Sequence, residues 1–194
     1  MYGLKIGLLL ISLGLFSNCS GKNQNDPKKQ TEIKQKGVQT MSIQLSSPAF
    51  GEGEMIPERY TCDGADVSPA LKWSAVPAGT KSLALICDDP DAPMGTWVHW
   101  VIYGISPDTY EMPESVPMNE TVLKGARQGK NDFRRIGYGG PCPPRGPAHR
   151  YYFKLYALDA DINLKAGATK KELLKLMENH ILAKGQLMGK YSRK

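Results

Sequence analysis

Two short segments of the chain concentrate the side chains that could do chemistry. The first runs from Asp88 to Trp100 and reads Asp-Asp-Pro-Asp-Ala-Pro-Met-Gly-Thr-Trp-Val-His-Trp. The second runs from Gly137 to Tyr151 and reads Gly-Tyr-Gly-Gly-Pro-Cys-Pro-Pro-Arg-Gly-Pro-Ala-His-Arg-Tyr. The chain has 3 histidines, and two of them, His99 and His149, lie here. An imidazole N–H donates to a phosphate oxygen. Asp89 and Asp91 cannot face a phosphate directly without repulsion. They suit a supporting role instead, accepting the far N–H of each histidine, or receiving a cationic group such as an ammonium. A neighbouring carboxylate raises a histidine pKa and so favours the imidazolium that an anion prefers. Gly139 and Gly140 leave the backbone free to turn N–H groups toward a bound oxygen. Trp97 and Tyr138 offer apolar walls and, for an ammonium, a cation–π face. Pro141, Pro143 and Pro144 stiffen the loop. The pattern predicts a small anion site assembled from two distant loops.

Several of these residues also have plainer roles. His99, taken alone in a strand, is as well explained as a satisfied core residue; a second histidine and two carboxylates nearby tip the reading toward a site. Asp88 reads as a turn cap, and Trp73 and Trp100 read as core. Arg150 reads as an ion-pair partner, and Tyr152 and Tyr156 as packing residues.

The elements that must position this chemistry are mostly strands. Ser82 to Cys87 is a short apolar run, of the kind found in a sheet covered on both faces. Trp97 to Tyr103 is rich in aromatic and β-branched residues, which favour strands. In the run from Tyr151 to Ala157, the residues Tyr151, Phe153, Leu155 and Ala157 share one face by the period of two. Turn residues separate these runs. One helix is expected late in the chain. Thr169 and Glu172 form a capping box, and Leu173, Leu176, Met177 and Ile181 follow at helical spacing. Leu174 and Leu182 widen the stripe, and Gly185 is the expected stop. Leu187 to Tyr191 suggests a last short strand. Many strands and one late helix predict a β-dominated domain.

Length and charge narrow the function classes. The chain has 194 residues, 41% of them hydrophobic, enough for one domain with a proper core. Of the net charge of +6, a share of +4 sits in residues 1–40. The part expected to fold therefore lacks the basic stripe of a nucleic-acid-binding domain. Residues 6–16 form an apolar run behind Lys5, too short to span a bilayer but suited to a signal peptide. It ends in Leu-Phe-Ser-Asn-Cys19, which resembles a bacterial lipoprotein box with Asn18 where Gly or Ala is usual. The chain thus divides into residues 1–18, a signal peptide of the lipoprotein type; residues 19–40, a flexible polar tether; and residues 41–194, the domain. Lipidation of Cys19 would anchor the protein to a bacterial membrane, periplasmic or surface-facing. The alternative is a plain signal-peptidase site and a soluble periplasmic or secreted protein.

The two chemical segments resemble the signature stretches of the phosphatidylethanolamine-binding protein family, in its bacterial branch named after Raf kinase inhibitor protein. Further matches are Tyr60-Thr61-Cys62-Asp63-Gly64, Ser68-Pro69, Trp73, Val76 to Ser82, Asn131-Asp132-Phe133, Tyr156 to Asp159 and Leu187 to Tyr191. The resemblance covers essentially residues 41–194. It implies an antiparallel β-sandwich with Greek-key topology and an anion pocket at Asp89, Asp91, Trp97, His99, Pro143, His149 and Tyr151. It also implies binding of phosphate-bearing head groups, and in some members inhibition of kinases or serine proteases.

The chain has 4 cysteines, Cys19, Cys62, Cys87 and Cys142. Cys62 and Cys142 lie in loops of the segments that carry the resemblance and are the expected pair, since export permits a disulfide. Sequence alone does not settle connectivity. Cys87 ends an apolar strand and reads as a buried thiol.

Three functions remain in view. The first is a module that binds a small phosphate-like anion or a phospholipid head group, with no cofactor and no catalysis. The second is an inhibitor or scaffold acting on a kinase or serine protease. The third is a metal-assisted hydrolase, because two His and two Asp could ligate zinc. The chain carries no HExxH, GxSxG or Walker sequence in support of the third.

Overall fold

The computed structural model of the chain describes residues 41–194. The expected signal peptide, the lipidation at Cys19 and the tether to residue 40 lie outside the described residues. The element order is β1 (Met41–Ile43), β2 (Leu45–Ser46), a 3₁₀ turn (Glu58–Tyr60), β3 (Leu71–Trp73), β4 (Ser82–Asp89), β5 (Trp97–Ile105), β6 (Glu111–Met112), β7 (Thr121–Val122), β8 (Ala126–Gln128), β9 (His149–Leu158), α1 (Lys170–Met177) and β10 (Ile181–Tyr191). The fold is mostly strands with a single α-helix.

All eight residues of β4 are buried, which explains its unbroken apolar run. Its side chains alternate between two packed layers. Leu83, Leu85 and Cys87 join the cluster that includes Leu45, Leu71, Trp73 and Met112 of the smaller sheet. Ala84 and Ile86 join the cluster built on Leu173 and Met177 of α1. The larger sheet therefore lies between a small sheet and a helix.

The larger sheet has the strand order β1-β10-β9-β4-β5-β8-β7, and the smaller one β2-β3-β6. The pairings are antiparallel except at one edge, where β1 runs parallel to β10. That edge departs from the wholly antiparallel expectation. It depends on Gly185, where an added β-carbon would lie 2.5 Å from the Ile43 carbonyl oxygen. The β9 face predicted from the period of two is present: Tyr151, Phe153, Leu155 and Ala157 are all buried.

The helix is shorter than its apolar spacing suggests. The capping box forms, with the Thr169 amide donating to Glu172 at 2.7 Å and the Glu172 amide donating to the Thr169 hydroxyl at 3.3 Å. Leu173 and Met177 are buried beneath it. The helix then ends at Met177, because Asn179 takes a left-handed conformation with φ +65°. Ile181 pairs with Leu158, so the expected last turn of helix is the start of an eleven-residue strand. Small residues conceal the alternation there. Ala183, Gly185 and Gly189 fill inward positions that longer apolar side chains would have made legible.

Candidate functional site

The ends of three neighbouring strands bring the two chemical segments together. Asp89 closes β4 and is paired in register with Trp97, the first residue of β5. β9, which begins at His149, lies on the other side of β4. His149 Nδ1 donates to Asp89 Oδ2 at 2.8 Å across a gap of 60 residues. The Asp91 amide donates to Asp89 Oδ1 at 2.7 Å. The Asp89 carboxylate is thus held on both oxygens, and its side chain is only 4% exposed.

His99, the third residue of β5, is 2% exposed. Its Nδ1 stands 2.6 Å from the Gly139 carbonyl oxygen. A carbonyl only accepts, so the ring proton sits on Nδ1 and the neutral ring keeps a lone pair on Nε2. The Gly139 amide returns a bond to the His99 carbonyl at 2.9 Å. Burial lowers the His99 pKa, against the opposing pull of the Gly139 carbonyl and the Asp89 charge. Tyr151 is fully buried, and its hydroxyl makes no well-formed hydrogen bond within the protein, although the Asp89 carboxylate lies close enough to act on it. Burial first, and the Asp89 charge second, push its pKa well up, so the hydroxyl keeps its proton.

Aromatic edges close the walls. Ring centroids lie 5.4 Å apart for Trp97 and Phe133, 5.3 Å for His99 and Phe133, and 5.1 Å for His99 and Tyr151, all edge-on. Between these groups lies a cavity of about 220 Å³. That is smaller than the usual pocket for a drug-sized ligand, about 300–1,000 Å³. It suits a compact polar group with a modest apolar substituent.

Six of the residues singled out from the sequence line this cavity: Asp89, Trp97, His99, Pro143, His149 and Tyr151. Four do not. Asp91 turns outward to Arg150, accepting from its guanidinium at 2.6 and 2.8 Å and from its backbone amide at 2.9 Å. That pairing holds the Asp91 carboxyl down at about 2. Tyr138 packs edge-on against Trp100 in the core and donates to the Tyr60 carbonyl at 2.9 Å. Gly139 and Gly140 do not form an anion nest, because their amides donate to His99 O and to Asp66 Oδ1. Their value is closeness. An added β-carbon would lie 2.6 Å from the Phe133 ring at Gly139, and 2.4 Å from the Tyr60 carbonyl oxygen at Gly140.

Other lining residues were not assigned to the site from the sequence. Phe133 and Met94 form part of the wall, and Met94 is 93% exposed at the mouth. Phe133 belongs to the Asn131-Asp132-Phe133 motif, which was legible as a motif but carried no hint of where its ring would point. Asp88 is not a turn cap. It is buried and accepts from Lys154 at 2.7 Å and Lys170 at 2.5 Å, joining β4 to β9 and α1. Cys62 and Cys142 are joined by a disulfide, and Cys142 lines the cavity. Cys87 is a free, buried thiol whose pKa is pushed up by that burial. Among the described residues, no group of three or more His, Cys, Asp or Glu is placed to hold a metal ion.

Comparison with known proteins agrees with this architecture. The family profile described as phosphatidylethanolamine-binding protein matches residues 46–192. A UPF0098 protein of Pyrococcus horikoshii is 52% identical, over 81% of this chain and 80% of its own. A UPF0098 protein of Methanothermobacter thermautotrophicus is 50% identical, over 78% of this chain and 99% of its own. Among solved structures, a phosphatidylethanolamine-binding protein homolog from Chlamydia trachomatis superposes with a TM-score of 0.72 at 42% identity, covering 79% of this chain and 99% of its own. Escherichia coli YbcL, described as a member of the mammalian family, superposes with a TM-score of 0.74 at 33% identity and the same two coverages. The chain belongs to the phosphatidylethanolamine-binding protein family.

Proposed function

We propose that the protein binds a small phosphate-like anion, free or as the head group of a phospholipid, in the cavity between β4, β5 and β9. One observation carries the reading. The fully buried Tyr151 hydroxyl makes no well-formed hydrogen bond in the protein, and Tyr151 belongs to the same cavity wall as His149, which is locked onto Asp89. A buried donor without an acceptor is costly, and a bound oxygen removes that cost. Tyr151 and His149 can both donate to the anion, while Trp97, Phe133 and Met94 receive whatever apolar group it carries.

His149→Ala removes one of these donors and the group that orients Asp89. Affinity for phenyl phosphate, measured by titration calorimetry, should fall by about 1.5–3 kcal/mol, the range for hydrogen bonds to charged groups. Unchanged affinity would remove the cavity from consideration as the phosphate site.

A second reading is favoured by the exposed Met94 beside the cavity mouth. In it the rim seats a kinase or serine protease, with the anion as a competitor. Capture of such an enzyme that added phosphate relieves would favour this reading over simple ligand binding. In either case residues 1–40 are proposed to export the protein and, through Cys19, to anchor it. Cys19→Ala should release it from the membrane fraction.

A further inference from the structure

The cavity holds its polar atoms in a balance that decides which anions it can take. No lysine or arginine is among its lining residues. The Asp89 carboxylate only accepts. His99 commits Nδ1–H to the Gly139 carbonyl at 2.6 Å, so its neutral ring offers a lone pair at Nε2. His149 commits Nδ1 to Asp89 at 2.8 Å, and its Nε2 donates only when the ring is protonated. Tyr151, whose ring packs edge-on against that of His99 with centroids 5.1 Å apart, carries a hydroxyl that donates without needing to titrate.

A fully ionised oxyanion would set its lone pairs against those of His99 and Asp89. Both residues are almost wholly shielded from water, at 2% and 3% exposure. In such surroundings a hydrogen bond gains strength and an acceptor facing an acceptor loses correspondingly more. An oxyanion that keeps one proton removes the conflict. Its O–H can donate to His99 Nε2, while its other oxygens accept from Tyr151 and, when that ring is protonated, from His149.

Resting on the function proposed above, we infer that the site selects oxyanions that carry their own proton: the singly protonated form of a phosphate monoester, over a sulfate ester and over the phosphate dianion. A phosphodiester has no such proton. It can supply a donor only from its other arm, as an ammonium does.

The groups around His99 support a neutral ring. Asp89 acts on it from β4, Tyr151 packs edge-on against it from β9, and His149, also of β9, shares its cavity wall. Asp132, from the loop after β8, is engaged with the Val98 amide at 2.7 Å. Arg135, beside Gly139, is paired with Asp66 at 2.6 Å. Burial lowers the ring's pKa further from protonation.

The test uses the full chain and four probes: phenyl phosphate, phenyl sulfate, benzylphosphonate and glycerophosphoethanolamine. Calorimetry between pH 5 and pH 8 gives each affinity. Phenyl sulfate, ionised throughout, should bind at least about tenfold more weakly than phenyl phosphate at pH 5.5. Phenyl phosphate affinity should fall roughly tenfold per pH unit above its second ionisation, near pH 6. Benzylphosphonate, whose second ionisation lies at higher pH, should show the same fall displaced upward. A fall at one fixed pH for both would assign the effect to His149 and overturn the inference. So would equal binding of sulfate and phosphate esters, or phenyl phosphate affinity that is flat or rising with pH; each leaves the phosphate site itself standing. If glycerophosphoethanolamine alone binds, the ammonium is the donor and the selection of an ester proton is overturned in favour of the head group. If none of the four binds, the function proposed above fails, and this inference with it.

Discussion

Asp89 and Asp91 stand two residues apart and end in different environments. Asp89 faces inward and holds His149. Asp91 faces out and grips Arg150 through both oxygens. The Arg150 guanidinium lowers the Asp91 pKa from its ordinary 3.8 to about 2. A carboxyl depressed in the folded state stabilises the fold above its unfolded pKa, and that contribution disappears as pH falls through the folded value. The pair is partly open to water, with side chains 48% and 28% exposed, so solvent screens it and the effect is modest. Asp91→Asn should therefore lower the urea midpoint at pH 7, with the gap to the parent protein closing between about pH 4 and pH 2. A gap independent of pH would show that packing, rather than the ion pair, is responsible. Ligand affinity should be little changed, because Asp91 does not line the cavity.

At the scale of elements, the site depends on how closely loops approach the strand ends. Gly140 joins the loop bearing Cys142 and Pro143 to the segment around Tyr60. An added β-carbon there would lie 2.4 Å from the Tyr60 carbonyl oxygen and 2.8 Å from Asp66 Oδ1, the acceptor of its own amide. Backbone on one side and an anchored carboxylate on the other leave little room to give. Gly140→Ala should cost about 1–3 kcal/mol in chemical denaturation, as overpacking does. It should also weaken phenyl phosphate binding by displacing the Pro143 wall. Gly146 differs in kind. Nothing lies within 4 Å of a β-carbon built there, and its φ of +144° is what calls for glycine.

For the whole molecule, the disulfide is the longest covalent constraint among the described residues. It joins Cys62, just after the 3₁₀ turn, to Cys142 in the cavity wall, 80 residues later. Closing a loop of that length removes much of the freedom of the unfolded chain, and losing such a bridge typically costs about 2–5 kcal/mol. The double change Cys62→Ser with Cys142→Ser should lower stability in that range, read from denaturant unfolding under non-reducing conditions. Reduction of the parent protein should reproduce the loss. Identical stability of the parent protein and the double variant would mean the sheets alone hold the wall in place. The layered core makes some retained structure expected, since β4 is packed on both faces without help from the bridge.

Local chemistry was legible in the sequence wherever the cause was itself local. The alternating face of β9, the unbroken apolar run of β4 and the Thr169 capping box each follow from neighbours within a few residues. The two segments rich in His, Asp, Gly and Pro marked the loops of the cavity for the same reason. Only the tertiary structure decided which of those side chains enter it. Strand pairing set His149 against Asp89 across 60 residues and His99 against Gly139 across 40, which fixed the tautomers. It sent Asp91 to Arg150, consumed the Gly139 and Gly140 amides, and left the Tyr151 hydroxyl without a well-formed hydrogen bond. Hydrogen-bond partners at such separations depend on register and layer packing, and spacing along a single chain carries no record of them.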